Sequence, residues 1–197
     1  MVKHSLSWYK PGKKIIVKDK MQNYTYYLSE PPGKNFHKDF KPELTPSQML
    51  KMGIFEGKYI NDGENEFPKE WYKDAKLKNK LCDTSDPSVN AFKIKSRLSL
   101  QEWRKRKWIP IVPGDKDIRG WFQWYCRYWI GRRDPNVDIV QIKRWRSFKR
   151  HKGQILKSLK TMDKKNRPVS KTDIVKHRPR QRQALLQWAY DPYFTIK

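Results

Sequence analysis

Acidic residues and cysteines are scarce in this chain, and long apolar runs are absent from it. The 197 residues contain 20 Asp or Glu against 45 Lys or Arg, and their two cysteines are Cys82 and Cys126. Two cysteines make no disulfide framework, so we expect free thiols and a reducing compartment, the cytoplasm or nucleus, or a virion. No run of about 18 apolar residues occurs, so we expect no membrane span. The N-terminal sequence also lacks the apolar stretch of a signal peptide.

The sequence motifs of several enzyme and DNA-binding classes are missing as well. The four histidines form no metal-binding spacing with one another or with the cysteines. There is no phosphate-binding glycine loop, nucleophile elbow, zinc-finger spacing or leucine zipper. We therefore expect no cofactor and assign no sequence-specific readout.

Basic residues are the most abundant feature that remains. The formal net charge is +25 and the isoelectric point is near 10.1. Such a balance predicts a polyanionic partner, which is DNA, RNA, an acidic protein or an anionic membrane surface. Residues 141–182 alone carry 16 basic and two acidic side chains. We expect the partner to lie against this basic C-terminal half.

Aromatic residues offset the low apolar content of 37%, because nine Trp, ten Tyr and eight Phe bury large areas. Residues 14–19 and 24–30 are β-branched and aromatic runs around a polar turn, which predicts a β-hairpin. We expect an α+β, mostly helical fold with this hairpin packed on five or six helices, in a single domain, 1–197. Residues 82–90 are a possible boundary within it. The expected helices begin near Pro46, Pro68, Ser99, Asp117, Pro135 and Pro179, with capping boxes at Thr45–Gln48 and Ser99–Glu102. The helix from Pro135 is either one long helix or two broken near Gly153, and the last helix is expected to end near Tyr190.

Residues 119–133, RGWFQWYCRYWIGRR, either stack on bases or form a core. A helix near 118–130, capped by Asp117 and ended by Gly131, carries rings over about two-thirds of its circumference. A base-stacking surface needs exposed rings on one face, usually from a sheet or loop. We therefore predict that this helix is the central core element.

Three polar side chains form a narrow stripe on the same helix: Arg119, Gln123 and Arg127. Buried charges without partners are very unfavourable, so these residues must meet either acids or phosphates. The acids considered are Asp117, Asp134 and Asp138.

Residues 141–160 have the pattern of a basic amphipathic helix. A phosphate backbone, an anionic membrane or an acidic groove would each fit it. We favour nucleic acid, because the apolar face is needed for the fold. The candidate contacts on this helix are Lys143, Arg144, Arg146, Lys149 and Arg150.

Further arginines lie at two helix ends. Arg178, Arg180 and Arg182 begin the last helix, where cations oppose the helix dipole and a bound phosphate would offset them. Arg132 and Arg133 follow the aromatic helix, where cations suit the dipole. Both groups complete the predicted phosphate-binding set.

A cluster of acids in NDGENEFPKEW suggests an alternative. Asp62, Glu64, Glu66 and Glu70 lie within nine residues. Carboxylates beside a basic surface are what a Mg²⁺-dependent nuclease needs. The competing interpretation, which we favour, pairs these acids with nearby lysines.

The segments DIRGWFQWYCRYWIGRR, QIKRWRSFKRH and RPRQRQALLQWAY, with LTPSQMLKMGIFEGKYIND upstream, resemble a dispersed family of basic, Trp-rich proteins. The core pattern is GWFQWYCRYW-x-GRR, and members occur in fungi, algae, bacteria and large DNA viruses. The family has no established activity, so the resemblance implies no function. The sequence thus predicts a protein that binds the nucleic-acid backbone. The alternatives are a nucleic-acid-modifying enzyme and a structural protein of a virion or other assembly with acidic neighbours.

Overall fold

A β-hairpin, six α-helices and four short 3-10 helices make up the secondary structure of the described chain in a computed structural model. This confirms the mostly helical α+β class. The structure describes residues 3–19, 21–96, 100–107, 116–163, 173 and 176–195. The expected cap at Ser99 lies outside these ranges.

The hairpin pairs β1, Lys14–Lys18, with β2, Asn23–Tyr27, in antiparallel register. Alternation along β1 buries Ile15 and Val17 and exposes the residues between them. Since a two-stranded hairpin is marginal alone, this apolar face packs on the helical core.

Helices α1, Pro46–Lys51, and α2, Lys69–Leu77, pack against each other beside the hairpin. The predicted capping box at α1 is confirmed. Thr45 Oγ1 accepts from the Gln48 amide at 3.2 Å, and Gln48 Oε1 accepts from the Thr45 amide at 2.8 Å.

Helix α4, Trp121–Ile130, is the centre of the core, as its ring pattern predicts. Nine of its ten residues are buried. The expected start at Asp117 is wrong, because Gly120 is the N-cap and the Asp117 carboxylate pairs with arginines instead. The helix ends at Gly131, whose φ of 116° favours glycine and whose Cβ, if present, would lie 1.9 Å from the Glu30 carbonyl oxygen.

Helix α5, Pro135–Asp163, is one continuous helix of 29 residues, so Gly153 does not divide it. Ile142, Trp145, Ile155 and Leu159 bury one side of it. Its opposite side stays exposed over its full length.

Helix α6, Pro179–Leu186, packs on α5 and ends earlier than the expected Tyr190. A short helix α3, Leu100–Lys105, lies near the 54–57 turn, with Trp103 against Phe55 at 6.0 Å between ring centroids. Among the helices described, none combines the length and apolarity of a membrane span.

The loop at 82–90 packs on the turn at 54–57. The Cys82 amide donates to the Gly57 carbonyl at 2.9 Å. Asn90 Oδ1 accepts from the Glu56 amide at 2.8 Å. These bonds hold the turn in position beside α3 and α4.

Candidate nucleic-acid interface

The buried arginines of the predicted stripe meet acids from distant parts of the chain rather than an external anion. Arg127 lies on α4, whereas Arg119 precedes the N-cap Gly120, so the expected helix start near 118 is too early. Arg127 is fully buried and contacts Glu66 at 2.5 Å and Asp117 at 3.1 Å. Arg119 contacts Asp62 at 2.5 Å. Asp117 is the one partner that the sequence analysis had considered.

Glu66 is the centre of this buried network. Its side chain also accepts from the Tyr26 hydroxyl at 2.9 Å, which ties the hairpin to α4. Burial alone would lower the pKa of Arg127, but the Glu66 carboxylate outweighs burial and raises that pKa. Arg127 therefore stays charged inside the protein, and its charge stabilises that of Glu66.

The four acids at 62–70 do not converge on one point. Asp62 pairs with Arg119, and Glu66 pairs with Arg127. Glu64 pairs with Lys3 and Lys76, and Glu70 accepts from the Leu6 amide at 3.1 Å.

The pKa shifts of two of these acids, Asp62 and Glu64, agree with structural ion pairing. The hydrogen bond from Arg119 lowers the pKa of Asp62. Burial would raise the pKa of Glu64, but two lysines lower it overall. In the part of the chain that is described, no set of three or more His, Cys, Asp or Glu side chains is placed to hold a metal. The geometry thus matches the ion-pair interpretation for three of the four acids, although lysines pair only with Glu64 and the partners of Asp62 and Glu66 are arginines.

Arg132 is buried against Asp117, with nitrogen–oxygen distances of 2.6 and 2.9 Å. Arg133 donates to the carbonyl oxygens of Tyr128 at 2.6 Å and Lys34 at 2.9 Å, and its guanidinium lies 3.8 Å from the Tyr128 ring centroid. We therefore remove both from the predicted phosphate-binding set, because their donors serve the fold.

Arg182 also belongs to the interior. Its Nε donates to the His177 carbonyl at 2.9 Å, and its Nη1 donates to the Pro192 carbonyl. The side chain is fully buried and fixes the C-terminal segment against the start of α6. It is therefore not a surface phosphate contact.

The exposed cations that remain lie on two adjoining helices and form what we call the basic face. Spacings of three and four residues put Lys143, Arg146 and Arg150 on one side of α5. Lys149 is exposed on the same turns. The exposed pair Arg178 and Arg180 begins α6.

Two hydrogen bonds join these helices within the basic face. Gln181 Nε2 lies 2.7 Å from Gln154 Oε1 and 3.5 Å from His151 Nδ1, so the start of α6 lies beside α5. Burial and then the neighbouring arginines lower the pKa of His177. Arg178 and Arg182 thus add positive charge at the start of α6.

Few acids oppose the basic face. No Asp or Glu occurs in the sequence between Asp138 and Asp163. Arg146 lies 3.6 Å from Asp39, in an exposed pair that contributes little. For its other five cations, no ion pair is found within the described residues.

An aromatic cavity of about 540 Å³ opens beside the basic face, and the sequence analysis missed it. Its aromatic lining comes from α3, α4, α5, the segment after α6 and the segment at 55–59. Arg144, on the inner edge of α5, lines it as well, instead of the outer face expected for it. The lining rings are Phe55, Tyr59, Trp103, Trp121, Phe122, Phe148 and Trp188.

Comparison of the chain with protein-family models, curated proteins and solved structures finds no match. No relative therefore lends it an activity, and the resemblance to a dispersed Trp-rich family stays an expectation.

Proposed function

We propose that the protein binds nucleic acid by its phosphate backbone, through the basic face of α5 and α6. The observation that carries this proposal is the grouping of six exposed cations on adjoining helices. On α5 itself no carboxylate interrupts them between Asp138 and Asp163. Arginines and lysines so arranged attract phosphates and release the counterions condensed on them.

These contacts are made to the phosphate backbone of the nucleic acid, so they do not by themselves distinguish one base sequence from another. Lys143 and Arg150 are two helical turns apart, which is about 10 Å along α5. They therefore fit successive phosphates of one strand better than one small anion. Binding should weaken steeply as salt rises.

The test measures binding of labelled single-stranded DNA, duplex DNA and RNA by fluorescence anisotropy across a salt series. The variant Lys143→Gln/Arg150→Gln removes two charges from the basic face. Lys14→Gln/Lys18→Gln removes two exposed charges from β1 and is the matched control. We expect the slope of log Kobs against log salt to fall by about two in the first variant.

In the control variant the slope should change little. An equal decrease of this slope in both variants would overturn the proposal, because binding would then depend on net charge alone. A parallel series with magnesium tests the enzyme alternative, which predicts cleavage.

A second candidate is an acidic protein neighbour in a large assembly. It is favoured by Ile139 and Val140, which are 68% and 52% exposed one turn before Lys143. Exposed apolar residues beside cations are typical of a protein interface. If this candidate is right, Ile139→Asp should dissociate the assembly, as measured by light scattering. The affinity of the protein for nucleic acid should then be no greater than its affinity for heparin.

A further inference from the structure

We propose that the aromatic cavity takes one unstacked nucleobase of a single strand whose phosphates lie on the basic face. This inference rests on the proposed function and adds the chemical class of what is bound. Proteins that hold single strands combine a positive groove with aromatic rings on which bases stack. A duplex keeps its bases paired and stacked, so a cavity of this kind selects a strand end or an unpaired segment.

Two groups of rings supply the stacking surfaces. On the α5 side, the Trp188 ring lies 4.1 Å from that of Phe148 and 4.7 Å from that of Trp121. On the other side, Phe55 and Tyr59 stack at 4.6 Å. The cavity lies among rings from both groups, so a flat heterocycle would meet aromatic faces there.

Several of these rings are only partly covered by protein. Tyr59, Trp103, Phe148 and Trp188 are all half-buried, in contrast to the buried rings of α4. Protein interiors contain few voids larger than a water molecule. A cavity of about 540 Å³ lies within the roughly 300–1000 Å³ range of ligand sites.

The charge of the lining favours a ligand that carries phosphate. Arg144 and Arg150 both line the cavity, and no carboxylate does so within the described chain. The Arg144 guanidinium lies 5.7 Å from the Trp188 ring centroid. Arg150 belongs to the basic face as well, so the cavity opens where the phosphates of a bound strand would lie.

Polar groups at the cavity suit the edge of a base. Gln187 and Ser96 line it, and the Gln187 amide nitrogen donates to Ser96 Oγ at 2.9 Å. This bond leaves the Gln187 carbonyl oxygen as an acceptor and the Ser96 hydroxyl hydrogen as a donor. Both partners that a heterocycle edge needs are thus present.

The backbone beside the cavity is strained. Phe55 and Glu56 have φ of 51° and 59°, in the left-handed region that non-glycine residues avoid. Two hydrogen bonds maintain this conformation: the Glu56 amide donates to Asn90 Oδ1, and the Ser96 amide donates to Glu56 Oε1. Such strain clusters at ligand sites, and here it places the Phe55 ring in the cavity wall.

The experiment compares two single strands with the same number of phosphates, about ten. One is oligothymidylate, and the other has the same backbone with every base removed. Affinities are measured by anisotropy at one salt concentration. We expect the abasic strand to bind roughly ten-fold more weakly or worse, because it forgoes the stacked base.

The variant Ala184→Phe fills the cavity while leaving every charge and every ring in place. It should reduce oligothymidylate affinity to the level of the abasic strand and leave abasic affinity unchanged. The matched control is Tyr27→Leu, which removes a 61% exposed ring on β2, far from the cavity. Circular dichroism confirms that each variant is folded, and Ser147→Phe is a second filling variant if Ala184→Phe unfolds.

The outcomes separate this inference from the proposed function. Salt-sensitive binding of both strands with equal affinity would overturn the nucleobase site and leave backbone binding intact. Absence of binding to either strand would overturn both. A thymidine monophosphate competitor that displaces the strand as well as an oligonucleotide does would identify a free-nucleotide site and overturn the strand assignment.

Discussion

Glu66→Gln tests whether the acids at 62–70 are structural or catalytic. The substitution keeps the size of the side chain and removes its charge. In the fold, Glu66 faces Arg127 at 2.5 and 3.1 Å and accepts from Tyr26. Among the described residues, Asp117 would then be the one carboxylate partner of Arg127, and it already makes two hydrogen bonds to Arg132.

The expected effect follows from the burial of this site. Two guanidinium groups sharing one carboxylate leave an uncompensated positive charge away from water. Breaking a buried pair by removing one partner lowers the free energy of unfolding by about 3–5 kcal/mol. That is a large part of the roughly 5–15 kcal/mol by which domains are stable.

The assay is urea unfolding followed by tryptophan fluorescence and far-ultraviolet circular dichroism. The control is Asp74→Asn, which breaks an exposed pair between α2 and Lys51 of α1. An exposed pair of this kind contributes little to the free energy of unfolding.

A Glu66→Gln effect no larger than that of the control would refute the reasoning. A gain in stability would favour the nuclease alternative instead. Carboxylates held in place for a metal commonly reduce the stability of the fold, so neutralising them raises the free energy of unfolding.

Three further perturbations check other parts of the structure. Gly153→Ala should stabilise α5 by about 0.5–1 kcal/mol, because no atom lies within 4 Å of the new Cβ, whereas Gly131→Ala should strongly destabilise the fold in the same urea assay. The pKa of Asp62 is lowered by its arginine partner, so its contribution is present above the unfolded pKa near 3.8 and is lost as the pH falls below it. Asp62→Asn should therefore flatten the acid limb of stability against pH. In a thiol-reagent titration, Cys82 should react in the native protein, faster as the pH rises towards its raised pKa, and buried Cys126 only after unfolding.

Local sequence patterns predicted most of the fold, because the interactions that produce these elements form between residues close in sequence. The strand alternation at 14–18, the capping box at Thr45 and the ring coverage of α4 each depend on neighbours in sequence. The start of α4 was misplaced for a non-local reason. Asp117 has a side chain that favours the N-cap position, but its carboxylate accepts hydrogen bonds from Arg127 and Arg132 instead.

The candidate site was only partly predictable. The outer cations of α5 follow from helical spacing, and so does their exposure. The burial of Arg132 and Arg182 does not follow from helical spacing. Arg132 donates to Asp117, 15 residues away along the chain, and Arg182 donates to Pro192, 10 residues away. The aromatic cavity was invisible for the same reason, since Trp103, Phe148 and Trp188 come together only in the folded chain.

The distribution of the few acids explains why the basic face exists. Arg127 of α4 and Arg119 just before it are buried and need partners, which are Asp19, Asp62, Glu66 and Asp117. The hairpin and the 62–70 segment supply three of these four, so the N-terminal half provides much of the charge compensation in the core. Helix α5 has no carboxylate of its own between its first and last turns, and its outer cations keep their charge for an external anion. Gly153→Glu on the exposed side of α5 should therefore weaken nucleic-acid binding more than Leu77→Glu on α2, although the net charge falls equally.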